Sequence, residues 1–194
     1  MTKDRNNRMR WVTAGLRLLD ENGAQGISVE RLARRLGVTR GSFYHHFANR
    51  AEFVRALLAE WENDYTVRVL SSIADCHDVR ERLRCYLEMT AHMSSEREVA
   101  IRAWAKREVI VAEVVHRVDS ARLAFSIESC AMILPARNDA ELFGWICHLS
   151  AVGGQHSLAV EHASPESFGK FLVILFDLMH RLATSSSRIR SASL

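Results

Sequence analysis

Proline, cysteine and long apolar runs are all scarce in this chain of 194 residues. With two prolines, and no segment that alternates apolar and polar residues between turn signals, the pattern predicts an all-α protein. No apolar run approaches the roughly 18 residues that a membrane-spanning helix needs. No apolar stretch follows the charged N-terminal residues, as it would in a secretory signal peptide. We therefore expect a cytoplasmic protein with no membrane partner.

The cysteines and the catalytic motifs also exclude several classes of protein. The four cysteines are spaced by 9, 45 and 17 residues, which matches no zinc or disulfide framework and predicts free thiols. Glu113 and His116 form one ExxH, but a di-iron bundle needs a second one and further glutamates, and no second ExxH occurs. We therefore expect no cofactor, no metal and no catalytic residue, and a helical-bundle enzyme is disfavoured.

Charge is unevenly distributed along the chain. Residues 1–55 contain eleven lysines and arginines against five acidic residues, whereas the remainder contains fifteen against eighteen. A basic segment on a mildly acidic body suggests a polyanion as the partner of that segment. The basic N-terminal end has two interpretations, a solvated helix end or a disordered arm that reaches a DNA minor groove. Its residues are Lys3, Arg5, Arg8 and Arg10.

The segment 28–47, SVERLARRLGVTRGSFYHHF, has the layout of a helix-turn-helix. Ser28 is placed to cap a first helix, Gly37 to end it in a left-handed conformation, and Thr39 to cap a short second helix that runs to about His45. An apolar set should hold the two helices together. Its members are Leu32, Leu36, Val38 and Phe43.

The other face of the short second helix carries polar groups suited to DNA. Arg40 can pair with guanine or phosphate, and Tyr44 and His45 can donate to phosphate oxygens. Gly41 is costly inside a helix, by about 1 kcal/mol against alanine. Close approach of the backbone to DNA would explain that cost.

The run 37–58, GVTRGSFYHHFANRAEFVRALL, resembles the TetR (tetracycline repressor-like) family. The resemblance implies that residues 39–42 read bases, that Tyr44 and His45 contact phosphate, and that Ser28 and Arg50 are further phosphate contacts. Ala48 departs from the family pattern, in which proline is common at this place. The predicted DNA-binding residues are Ser28, Thr39, Arg40, Gly41, Ser42, Tyr44, His45 and Arg50.

The rest of the chain reads as a helical bundle, and the resemblance implies a nine-helix TetR-like architecture. Predicted helices follow at 49–74, 79–93, 95–105, 109–134, 139–161 and 165–184. The expected domains are a helix-turn-helix domain at 1–48, a ligand-binding and dimerisation domain at 49–184, and a flexible tail at 185–194. The inner stripe predicted for the helix at 109–134 consists of Val111, Val114, Val115, Val118, Ala121, Phe125 and Met132.

The last two predicted helices point to a homodimer. The segment 168–182 is apolar nearly all round, so its own domain could cover only one side. Gly153 and Gly154 would allow another helix to cross closely. The resemblance implies the same interface, a four-helix arrangement about a two-fold axis. The predicted interface residues are Trp145, Leu149, Val152, Gly153, His156, Phe168, Phe171, Leu172, Leu175 and Met179.

A small-molecule site is implied by the resemblance, which places a ligand pocket among the helices that follow the helix-turn-helix. Aromatic and sulfur-containing side chains on their faces favour a hydrophobic or aromatic effector, although each such side chain is more often an ordinary core residue than a ligand contact. The candidate pocket residues are Trp61, Tyr86, Met89, His92, Met93, Trp104, Phe125, Met132, Trp145 and His148.

Together these features predict a transcriptional repressor that binds a palindromic double-stranded operator as a homodimer and is released by a small effector. Two other regulators fit the same first 55 residues. One is a ligand-independent architectural DNA-binding protein. The other responds to thiol oxidation at Cys76 or Cys130.

Overall fold

The computed structural model describes residues 2–134, 137–156, 167, 169–179 and 181, and every regular element in these ranges is a helix. The all-α prediction is confirmed. If α4, a π-helical turn at Asn63–Val67 and α5 are counted as one interrupted helix, these ranges hold nine helices, as predicted. The helices are α1 Thr2–Asn22, α2 Val29–Leu36, α3 Arg40–Tyr44, α4 Arg50–Glu62, α5 Arg68–Ser72, α6 Val79–Ala91, α7 Ser95–Ala105, α8 Val109–Ile133, α9 Arg137–His156, and α10, described at 169–179.

The chain folds as two compact units. The N-terminal unit comprises residues 1–64 and 94–117, and the C-terminal unit comprises residues 65–93 and 118–194. The predicted tail at 185–194 and the predicted ends of the last two helices, at 157–161 and 182–184, lie outside the described residues. Within the described ranges, no helix is both long and apolar enough to cross a membrane.

An aromatic cluster forms the core of the N-terminal unit. The Phe43 ring on α3 lies 5.4 Å from the ring of Trp11 on α1 and 5.5 Å from that of Phe53 on α4. Phe47 completes the cluster, 5.1 Å from both phenylalanines. A Cβ at Gly15 would lie 2.6 Å from Phe53, so the absence of a side chain there lets α1 approach α4 closely. Three helices are thereby packed on one set of rings.

The basic N-terminal end is helical rather than a disordered arm, because α1 already begins at Thr2. Arg8 is held by the turn between α3 and α4. Its Nη2 donates to Glu52 Oε1 at 3.2 Å, its Nε donates to the His46 carbonyl at 3.4 Å, and its guanidinium lies 4.6 Å from the Phe47 ring centre. Arg8 therefore joins α1 to this turn, and the minor-groove arm considered from the sequence is wrong for this residue.

The C-terminal unit is built on α6, α8, α9 and α10. Buried residues from these helices form one cluster, which includes Leu87, Cys130, Cys147 and Leu172. A Cβ at Gly144 of α9 would lie within 2.5–2.8 Å of Ile127 atoms on α8, so only glycine permits this crossing.

The inner face of α8 differs from the predicted stripe in its second half. Val111, Val114, Val115 and Val118 are buried as predicted, but Ala121 and Met132 are exposed, Met132 by 67%. The helix instead turns Arg122, Ser126 and Ser129 inward, because residues spaced by three and four share a face of an α-helix. The prediction chose apolar residues and so missed a polar face that points into the interior.

Candidate nucleic-acid interface

A short turn sets the angle between α2 and α3. The Ser28 Oγ accepts a hydrogen bond from the Arg31 amide at 3.2 Å and so caps α2, as predicted. Gly37 ends α2 with φ 67° and ψ 33°, a left-handed conformation that favours glycine. The Val38 amide then donates to the Ala33 carbonyl at 3.0 Å, which closes the helix end.

The helix α3 lies against α2 through a small apolar contact. Phe43 and Leu32 are buried, as the sequence predicts, and Leu36 is half-buried. Val38 is 39% exposed, so the prediction that it pins the two helices is wrong. It is the second residue of the turn and faces outward there.

One side of α3 is left open to solvent. Tyr44 is 55% exposed, and its ring packs edge to face on the buried Phe43 ring at 5.3 Å. This contact holds the Tyr44 ring in position. Arg40 pairs with Glu30 of α2 at 3.0 Å, but both side chains are more than half exposed and such pairs contribute little. Of the predicted reading residues, four more are exposed and Ser42 is half-buried. The exposed four are Thr39, Arg40, Gly41 and His45.

The fold of the protein does not require glycine at position 41. A Cβ added there would have Thr39 Oγ1, at 3.7 Å, as its nearest neighbour, which is ordinary contact distance. Its φ does not fall in the left-handed region, where only Gly23 and Gly37 lie among the described residues. Alanine would therefore fit at this exposed helical position and would stabilise the helix.

Arg50 is placed at the start of α4 by a network that the sequence did not suggest. Asn49 caps α4, and its side chain accepts from the Glu52 amide at 2.9 Å. Arg50 donates twice to Glu108, at 2.9 and 3.2 Å, and Glu108 also accepts from Trp104 Nε1 at 2.7 Å. Mainly because of the Arg50 hydrogen bonds, the pKa of Glu108 is lowered.

The segment that contains the helix-turn-helix is similar in sequence to known proteins. Residues 12–57 match the family model described as bacterial regulatory proteins, tetR family. A segment of 59 residues, 30% of this chain, is 37% identical to the transcriptional regulator AcuR of Cereibacter sphaeroides. The match spans 26% of the length of that relative.

Residues 12–57 are similar in sequence to the N-terminal segment of TetR-family regulators.

Solved structures extend the likeness in fold to most of the chain. A transcriptional regulator from Rhodococcus sp. Rha1 has a TM-score of 0.77 at 19% identity, over 91% of this chain and 97% of that one. The TetR-family regulator SCO4454 of Streptomyces coelicolor has a TM-score of 0.76 at 14% identity, over 91% and 95%. The reduced form of NemR from E. coli has a TM-score of 0.71 at 14% identity, over 89% and 96%. The likeness in fold thus covers most of the chain, well beyond the residues that the family model matches.

The ten residues predicted for a ligand pocket are divided between the two units of the chain. Trp61 and Trp104 belong to the N-terminal unit, where Trp61 donates to the buried Glu98 at 3.2 Å. In the C-terminal unit, Tyr86, Met93 and His148 line one small cavity. Phe125 is half-buried, and its ring lies 4.8 Å from that of Tyr86. Four further members are exposed, namely Met89, His92, Met132 and Trp145.

Some of the residues predicted for a dimer interface are buried in their own unit, and others are accessible. Leu172 and Met179 are only 2% and 5% exposed because they pack inside their own unit, so they have little surface for a second copy. Phe168 lies outside the described residues. The remaining seven are exposed or half-buried. They are Trp145, Leu149, Val152, Gly153, His156, Phe171 and Leu175.

The remaining candidate of the sequence analysis was the ExxH of Glu113 and His116. Both side chains are exposed on α8. Across the described ranges, no three His, Cys, Asp or Glu side chains are grouped as a metal site would require.

Proposed function

We propose that this chain is a TetR-family transcriptional repressor that binds a palindromic operator as a homodimer and is released by a small-molecule effector. The observation that carries the proposal is the exposed polar side of α3, held on the aromatic cluster of the N-terminal unit. A rigidly supported short helix with exposed donors is what a major groove accepts. Thr39, Arg40 and Ser42 would meet base edges, while Tyr44 and His45 would meet phosphates.

Exposed apolar residues support the homodimer. Leu142, Trp145 and Leu149 follow one another at three- and four-residue spacing on α9, and their side chains are 43–57% exposed. A second stripe on α10 has the same spacing, with exposures of 51–65%, and consists of Phe171, Ile174 and Leu178. Two exposed apolar stripes of this kind suit the formation of a four-helix interface by two copies. Such a dimer could present two α3 helices to half-sites about 34–36 Å apart.

A DNA-selection experiment with the purified protein, followed by a salt titration on the enriched sequence, tests the proposal. A palindrome should be enriched, and its affinity should fall steeply with salt because lysine and arginine contacts release counterions from DNA. If no sequence is enriched at any salt concentration, the operator-binding proposal is wrong for the free protein.

Arg40→Ala and Tyr44→Phe should each weaken operator binding without changing the dimer, because both side chains are exposed on α3. We expect a loss of about 10-fold or more for Arg40→Ala, since a bidentate base contact contributes about 1–3 kcal/mol. The loss for Tyr44→Phe should be smaller, since one hydroxyl is removed. Fluorescence anisotropy gives the affinity, and sedimentation gives the oligomeric state. Loss of the dimer in either variant would contradict the faces assigned here.

Gly41→Ala should separate stability from function. Because alanine fits without a clash and is the better helix former, we expect the free energy of unfolding to rise by about 0.5–1 kcal/mol. Operator affinity should nevertheless fall, because the new methyl group would stand where the backbone approaches DNA. Urea denaturation and anisotropy measure the two effects. Ala59→Gly, at an exposed position in α4, is the converse control and should lower stability alone.

A response to thiol oxidation is a second candidate, favoured by one contact. Cys130 on α8 and Cys147 on α9 are hydrogen-bonded to each other and are buried. This hydrogen bond lowers the pKa of Cys130, which favours the reactive thiolate there, whereas the same bond and burial raise the pKa of Cys147. Burial also raises the pKa of Cys85, while Cys76 is half-buried. An unchanged thermal melt and unchanged operator affinity after peroxide treatment would exclude this candidate.

A further inference from the structure

An exposed cation stands at the start of α4, close in the chain to the exposed side of α3. Tyr44 and His45 are exposed, residues 48–50 are exposed again, and the Arg50 side chain is 51% exposed. Arg50 therefore continues the exposed segment that begins with the two proposed phosphate contacts. Its guanidinium has five N–H donors and a permanent positive charge, both of which suit a phosphate oxygen.

This guanidinium is already engaged inside the protein. Its Nη1 donates to Glu108 Oε1 at 2.9 Å and its Nη2 donates to Glu108 Oε2 at 3.2 Å, so both terminal nitrogens face one carboxylate. Bidentate pairs are among the stronger charged hydrogen bonds. The pair between Arg40 and Glu30 differs, because both of its side chains are more than half exposed and water screens them. Opening the Arg50 pair therefore costs more than opening the Arg40 pair.

Glu108 is held more firmly than Arg50. It lies between α7 and α8, where its Oε2 accepts from Trp104 Nε1 at 2.7 Å. Its amide donates to the Trp104 carbonyl at 3.2 Å, and its carbonyl accepts from the Val111 and Ala112 amides at 3.1 Å. The Glu108 side chain is only 24% exposed. When the pair opens, the long and exposed arginine is therefore the partner that moves, and the carboxylate stays in place.

We propose that Glu108 competes with a DNA phosphate for Arg50 and thereby lowers the affinity of this protein for DNA. This deepens the proposed function and rests on it. Carboxylate and phosphate oxygens both match the fork of a guanidinium, so one can replace the other. Because both terminal nitrogens of Arg50 face Glu108, a phosphate gains that fork only when the internal pair opens. Glu108 thus sets DNA affinity without contacting DNA.

Glu108→Gln tests the competition. Glutamine keeps an oxygen that can accept from Trp104 Nε1 but removes the charge that holds Arg50. In about 0.1 M salt we expect affinity for a duplex of random sequence to rise about 5- to 30-fold, since the proposed dimer carries two such pairs and each partly exposed pair contributes modestly. Fluorescence anisotropy gives the affinity, and circular dichroism confirms the fold. An unchanged affinity would overturn the proposal, and a lower one would mean that Glu108 instead orients Arg50 for DNA.

Glu62→Gln is the matched control. Glu62 accepts twice from Arg117 and is 23% exposed, but it lies at the other end of α4, about 18 Å from position 50 by the rise of an α-helix. The substitution removes the same charge, at a distance beyond the Debye length of about 10 Å in 0.1 M salt. We expect it to leave DNA affinity within about twofold of the unaltered protein, because salt screens a charge so far from Arg50. Equal gains in the two variants would reflect net charge alone and would overturn the proposal.

A double-mutant cycle assigns the gain to Arg50. Arg50→Gln should weaken DNA binding by itself. In a chain that carries Arg50→Gln, adding Glu108→Gln should have little further effect, because no pair is left to open. A full gain in that chain would mean that Glu108 repels DNA directly, which would refute the competition. If Glu108 acted only on stability, its substitution would lower DNA affinity in both chains.

The random duplex keeps the two proposals apart, because a phosphate contact carries no sequence information. If Glu108→Gln raises affinity for the random duplex and no palindrome is enriched, the competition stands and the operator proposal is wrong. If a palindrome is enriched and Glu108→Gln raises affinity for neither duplex, the repressor stands and the role of Glu108 is wrong. A protein that binds no duplex would refute both.

Discussion

Ile174→Glu should convert the proposed homodimer into a folded monomer and remove most of the proposed operator binding. Ile174 is 65% exposed in the middle of the α10 stripe, and a two-fold axis would bring two copies of each substituted residue into one interface. Burying charge there, with like charges brought together, costs several kcal/mol, and each 1.4 kcal/mol is a factor of ten. We therefore expect the dimer dissociation constant to rise at least about 100-fold, as measured by sedimentation equilibrium.

Val109→Glu is the matched control for this experiment. Val109 is an equally apolar and even more exposed residue, at 74%, but it lies at the start of α8 in the N-terminal unit. Its substitution should leave both the dimer and operator affinity unchanged. If the Ile174→Glu variant remains as dimeric at low concentration as the Val109→Glu control, the α9 and α10 stripes are not the interface.

Phe43→Ala should unfold the helix-turn-helix and abolish DNA binding. Phe43 is fully buried, with four other aromatic rings 5.1–5.5 Å away, those of the aromatic cluster and of Tyr44. Removing a buried phenylalanine ring costs about 3–5 kcal/mol, a large part of the stability of an ordinary domain. Urea denaturation followed by circular dichroism should show the loss, together with loss of operator binding at any salt concentration.

Phe43→Leu tests how far the effect of Phe43→Ala depends on lost apolar surface rather than on the shape of the aromatic ring. Leucine keeps much of the buried apolar surface, so the loss of stability should be clearly smaller and DNA binding should survive in part. Tyr44→Phe, at the adjacent exposed position, should leave stability unchanged. A small effect of Phe43→Ala on stability would mean that the cluster does not support α3 as described.

The helix-turn-helix could be predicted in detail because its structure is determined by local chemistry. The serine and asparagine caps at Ser28 and Asn49, and the left-handed Gly37, each act within three or four residues of the chain. Short-range rules therefore place α2, α3 and α4 correctly. Thr39 precedes α3 as predicted, although its side chain makes no capping hydrogen bond there.

The interior of the C-terminal unit was less predictable, because apolar residues cover several faces of its helices. On α8 the choice between Met132 and Ser129 for the inner face depends on which neighbours the helix meets, and periodicity alone does not decide it. The same ambiguity placed the buried Leu172 among the predicted interface residues and left out the exposed Ile174. Arg122 was missed for a related reason: a charged residue is assigned to the surface unless a buried partner is known.

The Ala48 amide couples three positions of the N-terminal unit. The Ala48 amide donates to Glu52 Oε2 at 2.7 Å, while Glu52 Oε1 binds Arg8. This amide hydrogen bond is the main reason that the pKa of Glu52 is lowered. Proline carries no amide hydrogen. A proline at position 48 would therefore remove one hydrogen-bond donor of Glu52, and substitutions at positions 8, 48 and 52 should change the free energy of unfolding non-additively because these residues share one network.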